Sequence, residues 1–147
     1  MTRQQYTGTK ALYLGPPPAE AQLSPSSATG DDLSAGLWLI RYGWTFEGQP
    51  QDGSLLVHRG DPASGAGATA AWGDTFHQGD RLMFLLGETD DAGITRLRGS
   101  YPAPPGPDWG WRIELERTDG ALSIRMFNIT PDGQEAIGVD AQYTADG

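Results

Sequence analysis

Between Asp108 and Asn128 the chain reads DWGWRIELERTDGALSIRMFN. Trp109, Trp111, Ile113 and Leu115 alternate with Arg112, Glu114 and Glu116, and after Thr118-Asp119-Gly120 the alternation resumes at Leu122, Ile124 and Met126. Period two is the signature of a strand with one face on a core and one in water, and Asp-Gly is a hairpin turn signal. A two-residue turn at Asp119 and Gly120 sets Leu115 opposite Ile124, Ile113 opposite Met126, Trp111 opposite Asn128 and Glu114 opposite Arg125. Slipping by one residue would send the apolar set to the wet face, so the register is well specified. Two indoles, Trp109 and Trp111, then share an inward face.

Working outward, turn signals recur at the spacing of a sandwich or barrel: EGQPQDG, DPASGAG, TDDAG, PAPPGPD, TDG and TPDG. They separate expected strands near 37–46, 54–60, 66–73, 81–87, 93–101, 109–117, 121–129 and 135–144. Strand 37–46 repeats the indole pattern, with Trp38, Ile40, Tyr42, Trp44 and Phe46 on one side and Leu37, Leu39, Arg41 and Thr45 on the other. Trp72 ends the run ATAAW, so all five tryptophans are expected inside. The last hairpin has two solutions. A type I turn closed by a glycine bulge pairs Asn128 with Ala136 and turns Gly138 and Asp140 inward, whereas the apolar pattern wants Ile137, Val139, Ala141 and Tyr143 inside. Burying an unpaired carboxylate costs more than one lost apolar contact, which favours the pattern.

The first 35 residues are less regular. TKALYL and AEAQLSP are expected to add one or two short strands around the stiff GPPP corner, and SPSSATGDD reads as a surface loop. The expected architecture is a single all-β domain over 1–147, an antiparallel up-and-down barrel of about eight to ten strands, since closure removes exposed edges.

Composition agrees with this class. The 147 residues hold 21 Gly and 11 Pro against 37% hydrophobic residues, which suits short strands joined by turns. A formal charge of -9 opposes binding to a phosphate backbone and to anionic membrane surfaces. No apolar run approaches the roughly 20 residues that span a bilayer as a helix. There is no cysteine, so disulfides and thiolate metal sites are excluded, and residues 1–10 lack the apolar core of a signal peptide. A cytoplasmic location is expected, with neither nucleic acid nor membrane as partner.

At WGDTFH, GSYPAPPGPDWGWRIELE and MFNITPDG, and back to YGWTFEGQPQDGSL, the chain resembles a bacterial family known as domain of unknown function 1579. The likeness runs from Tyr42 to Gly133. It implies a lipocalin-like or calycin-like barrel and no defined activity. Tyr101, Trp109, Trp111, Arg112, Asn128 and Pro131 match the family pattern, while Phe76 stands where the family often carries Trp.

A barrel of this size either fills its interior with side chains or holds one small ligand. The mixture of Trp38, Tyr42, Trp44, Trp72, Tyr101, Trp109, Trp111 and Met126 with Asn128 describes an apolar wall with a few polar tips, the composition of a ligand site. Core packing alone is the competing explanation, since each buried aromatic contributes about 1.5–3 kcal/mol. Gly43, Ala68, Ala70, Gly73 and Gly99 would leave room inside.

Asp74 and His77 sit near a strand end, where a carboxylate fixes an imidazole tautomer for acid/base work of the isomerase or lyase kind; a carboxylate capping loop N–H groups beside a surface histidine is the plainer alternative. His58 or His77 could ligate haem, although no flanking haem-binding string accompanies either. No cofactor is otherwise expected, and no divalent metal, because no histidines lie at ligand spacing and Asp31-Asp32 and Asp90-Asp91 lie in turn-like sequence. Arg112 is expected outside, opposite Phe127, stacking there or joining Glu114. The NIT at Asn128 matches a glycosylation acceptor only formally. P-loop, dinucleotide and G-x-S-x-G motifs are missing. Three functions follow: a binder of a small, partly apolar molecule; an acid/base enzyme using Asp74 and His77; and a solid barrel serving as a homodimerisation or interaction module, because outward Leu37, Leu39 and Phe127 need cover.

Overall fold

The computed structural model describes residues 2–61 and 63–147. Pro62, part of the expected turn DPASGAG, lies outside the described residues. Ten strands run β1 (Thr2–Leu12), β2 (Gln22–Ser34), β3 (Leu37–Phe46), β4 (Gln49–His58), β5 (Ala68–Asp74), β6 (Met83–Thr89), β7 (Thr95–Tyr101), β8 (Trp109–Arg117), β9 (Ala121–Ile129) and β10 (Glu135–Ala145). Each pairs antiparallel with its neighbours in sequence, and β1 closes on β10, giving an up-and-down barrel without a free edge.

The deciding hairpin has the expected register: Leu115↔Ile124, Ile113↔Met126, Trp111↔Asn128 and Glu114↔Arg125. On the inner side Ile113, Leu115, Ile124 and Met126 are almost completely buried. Outside, the Arg112 guanidinium lies 4.1 Å from the centroid of Phe127 and bonds Glu114 and Glu135.

The last hairpin combines the two solutions that the sequence set against each other. Asn128 pairs with Ala136, and the register then shifts between Ile137 and Val139, so that Val139, Ala141 and Tyr143 meet Met126, Ile124 and Leu122 inside. A bulge at Gly138 resets the phase of the strand. A side chain there would start 3.2 Å from the Trp111 ring, a crowding that glycine avoids. The correction concerns Ile137, which pairs with Phe127 and is half-buried instead of fully inside.

The N-terminal segment is the larger correction. It forms two long strands in place of an irregular stretch with short ones, and the whole of SPSSATGDD, expected as a surface loop, lies within β2. The inward Ser26, Ala28 and Gly30 of β2 are small and produce no apolar period. They are small because tyrosines occupy the space: Ser26 Oγ lies 2.9 Å from the Tyr143 hydroxyl, and a Cβ on Gly30 would meet the Tyr6 ring at 3.5 Å. Pro25 pairs with Thr9 of β1, beyond the residues of β2 that pair with β3, so its missing N–H takes no bond from the β3 ladder.

The interior is filled. Ile40, Leu55, Leu85, Leu97 and Ile113 are each at most 1% exposed, and the gap between Lys10, Met126 and Tyr143 leaves no space for a water molecule. Gly53 carries part of this packing, because a Cβ would lie 2.1 Å from the Tyr42 ring that crosses it. No helix among the described residues is long and apolar enough to cross a membrane.

Candidate functional site at the barrel mouth

At one end of the barrel the loops after β1, β5, β7 and β9 rise around an open cleft of about 830 Å³. Trp72, His77 and Trp111 line its base, with Tyr101, Trp109 and Asn128 beside them. Tyr13, Leu14, Pro16, Pro17, Pro102 and Pro104 form walls from two proline-stiffened loops, and Asp80, Arg81 and Glu135 stand among its polar residues.

Alternation along β5 and β8 directs Trp72 and Trp111 inward near this end. Their rings stack at 5.3 Å between centroids with planes 10° apart. His77 packs against both, 5.7 Å from Trp72 and 5.3 Å from Trp111. Phe76 borders the cleft beside His77 and packs on its other side against Trp44, with ring centroids 5.3 Å apart, and Phe46, at 4.8 Å. One half of the mouth is therefore plugged by aromatic packing and the other is left open.

Asp74 organises this arrangement. As the last residue of β5 it turns one carboxylate oxygen, Oδ1, onto the backbone N–H groups of Phe76 (2.8 Å) and His77 (2.9 Å), which fixes the loop that carries both rings. Oδ1 also lies 3.2 Å from His77 Nδ1. The other oxygen, Oδ2, accepts the Tyr42 hydroxyl at 2.5 Å, and that hydroxyl accepts Trp72 Nε1–H at 3.0 Å. The capping role and the histidine contact, set out as alternatives from sequence, occur together.

Burial would raise the Asp74 carboxyl, but the hydrogen bond and charge of His77, the Tyr42 hydroxyl and the charge of Lys10 outweigh it and bring it down to about 2. Burial, reinforced by the Asp74 charge and hydrogen bond, pushes Tyr42 well above its ordinary range, so it stays a neutral donor. Lys10 is the only lysine and is 1% exposed, with Nζ 3.7 Å from the Trp44 ring centroid. Burial lowers it to about 8 against the pull of Asp74.

The structure brings five of the nine candidate ligand-binding residues to the cleft: Trp72, Tyr101, Trp109, Trp111 and Asn128. Tyr42 and Met126 lie below it beside the closed gap, Trp44 packs under Phe76, and Trp38 is at the opposite end. Four of the five indoles are buried, and Trp109 is half-buried at the rim. Gly99 leaves no space for a ligand, since a Cβ there would meet Met83 Sδ and the Phe84 carbonyl at 2.9 Å. Of the two histidines, His77 lines the cleft, whereas His58 is exposed at the far end of β4 and accepts the Gly60 N–H. Leu37, Leu39 and Phe127 are half-buried, and the exposed apolar residues are instead Leu56, Phe84 and Leu86 on the outer wall, Leu82 beside β6, Leu23 on β2 and Leu14 in the cleft.

Lys10 and the Tyr13–Pro17 wall were not expected at the site. Lys10 shares the parity of Tyr6 and Leu12, which would have placed it inside, but the intervening Gly8 hides the alternation. No protein-family model matches the chain, and no curated protein matches it.

Proposed function

We propose that the protein binds a small, partly apolar molecule at the mouth of the barrel, outside the packed lumen. The observation that carries this reading is the open cleft of about 830 Å³ based on the stacked Trp72 and Trp111. The size lies within the range of about 300–1,000 Å³ typical of small-molecule sites. The lining supports the same conclusion, for the rings of Trp109, Trp111 and Tyr101 and the prolines of two loops stand beside polar side chains such as Gln78, Arg81 and Asn128. A panel of flat aromatic compounds tests the reading by tryptophan fluorescence and thermal melting. Saturable quenching with a rise in melting temperature is expected, and no response to any compound would overturn it.

The Asp74–His77 contact of 3.2 Å favours a second reading, in which the same cleft is the active site of an acid/base isomerase or lyase. His77 would move the proton and Asp74 would orient its ring, as carboxylate–imidazole pairs do. This reading requires turnover of a bound compound that falls at least about a hundredfold in His77→Gln, the contribution usual for general acid–base catalysis. Ligands that bind and leave unchanged would rule against it.

A further inference from the structure

The hydrogen bonds beneath the cleft determine what kind of polar group the cleft can accept. Asp74 is an ionised acceptor whose oxygens take N–H from Phe76 and His77 and O–H from Tyr42. A carboxylate has no hydrogen to give, so its contact with His77 Nδ1 places the hydrogen on that nitrogen. In the neutral ring the lone pair is then on Nε2, the nitrogen that Asp74 does not engage. In that neutral form His77 offers the cleft an acceptor.

The rings around that acceptor present apolar faces. Trp111 packs against His77 with centroids 5.3 Å apart, and its Nε1–H is buried, so it adds no polar group to the cleft surface. A hydroxyl is the simplest group that gives a hydrogen to an imidazole lone pair. The half-buried surfaces of Trp109 and Tyr101 favour a flat apolar body.

We infer that the ligand is a planar aromatic compound carrying a phenolic hydroxyl, which donates to His77 Nε2. This inference rests on the cleft being the ligand site and adds to it the identity of the polar group. His77 is the specificity-determining residue, and Asp74 is the positioning residue that sets its tautomer.

Calorimetric titration of the intact protein with 2-naphthol and with 2-methoxynaphthalene separates the claims. The two share a flat body, but the ether has no hydrogen to donate. The naphthol is expected to bind about tenfold or more tightly than the ether, because a site built around a hydrogen bond rejects the analogue that lacks it. In His77→Phe both should bind with similar affinity. Equal affinities in the unmodified protein would overturn the hydroxyl assignment and leave the binding function standing, whereas binding of neither compound would overturn the binding function itself. A preference that survives His77→Phe would overturn the role of His77. Should that variant fail to fold, the nitrogen chemical shift of His77 Nε2 in the unmodified protein decides the same point: it should move with the naphthol and not with the ether, and an unmoved signal contradicts the contact.

Discussion

The two ends of the barrel use tryptophan in opposite ways. At the closed end, Trp38 lies under Arg59 and Arg117, with guanidinium carbons 4.4 and 5.2 Å from the ring. Arg117 is itself held by Asp32 and by the Tyr6 hydroxyl. At the mouth, Trp72 and Trp111 stack on each other and on His77, and the cleft opens beside them. Cations complete the first indole, while the second set ends at a cavity. An indole shielded by arginines contributes to stability alone, whereas the half-buried Trp109 beside the stacked pair also has a surface to offer a ligand.

The largest effect expected from this contrast is on stability. Trp38→Ala should cost about 3–5 kcal/mol, as the loss of a buried aromatic usually does, while leaving ligand affinity of the folded fraction unchanged. Denaturant melts alongside titrations check it, and an affinity loss without destabilisation would break the division between the ends.

Lys10 should behave as a cost of the mouth. The folded chain releases its proton near pH 8 and the unfolded chain near 10.5, so the unfolded state binds more protons between them and stability rises across that window. Lys10→Met is expected to stabilise the protein by about 2 kcal/mol at neutral pH and to flatten that rise. Asp74 works with the opposite sign. Its carboxyl falls from 3.8 to about 2 on folding, so about 2 kcal/mol of stability is present above pH 3.8 and is lost as pH falls through about 2. Asp74→Asn should remove that acid limb in pH-dependent melts.

The smallest effect belongs to the rim. Trp109 is half-buried, and Trp109→Ala should weaken binding of a flat aromatic ligand severalfold, by about 1 kcal/mol, with a smaller stability loss than Trp38→Ala. Equal losses of stability in the two variants would mean that the mouth is packed as tightly as the closed end.

Much of this was legible in the sequence where side chains are large and alternate. The hairpin from Trp109 to Ile129 was readable to the residue, because Asp119-Gly120 fixes the turn and one face is apolar throughout. The N-terminal strands were not, since Ser26, Ala28 and Gly30 face inward and are small to admit Tyr143 and Tyr6, a fact that belongs to the partner strands. The bulge at Gly138 was visible as one of two alternatives, but pattern and turn chemistry were set against each other when one extra residue satisfies both. The contact of Asp74 with His77 is legible because the two lie three residues apart beside a strand end. Lys10 was missed because its role depends on Trp44 and Asp74, which approach it only when β1 closes the barrel.

Location of the ligand at the mouth is tested most directly by following the five indole N–H resonances while the intact protein is titrated with 2-naphthol. The signals of Trp72, Trp109 and Trp111 should shift together and saturate, with Trp38 unmoved. A response centred on Trp38, or five signals that stay in place at saturating compound, would contradict a binding cleft built on the stacked pair.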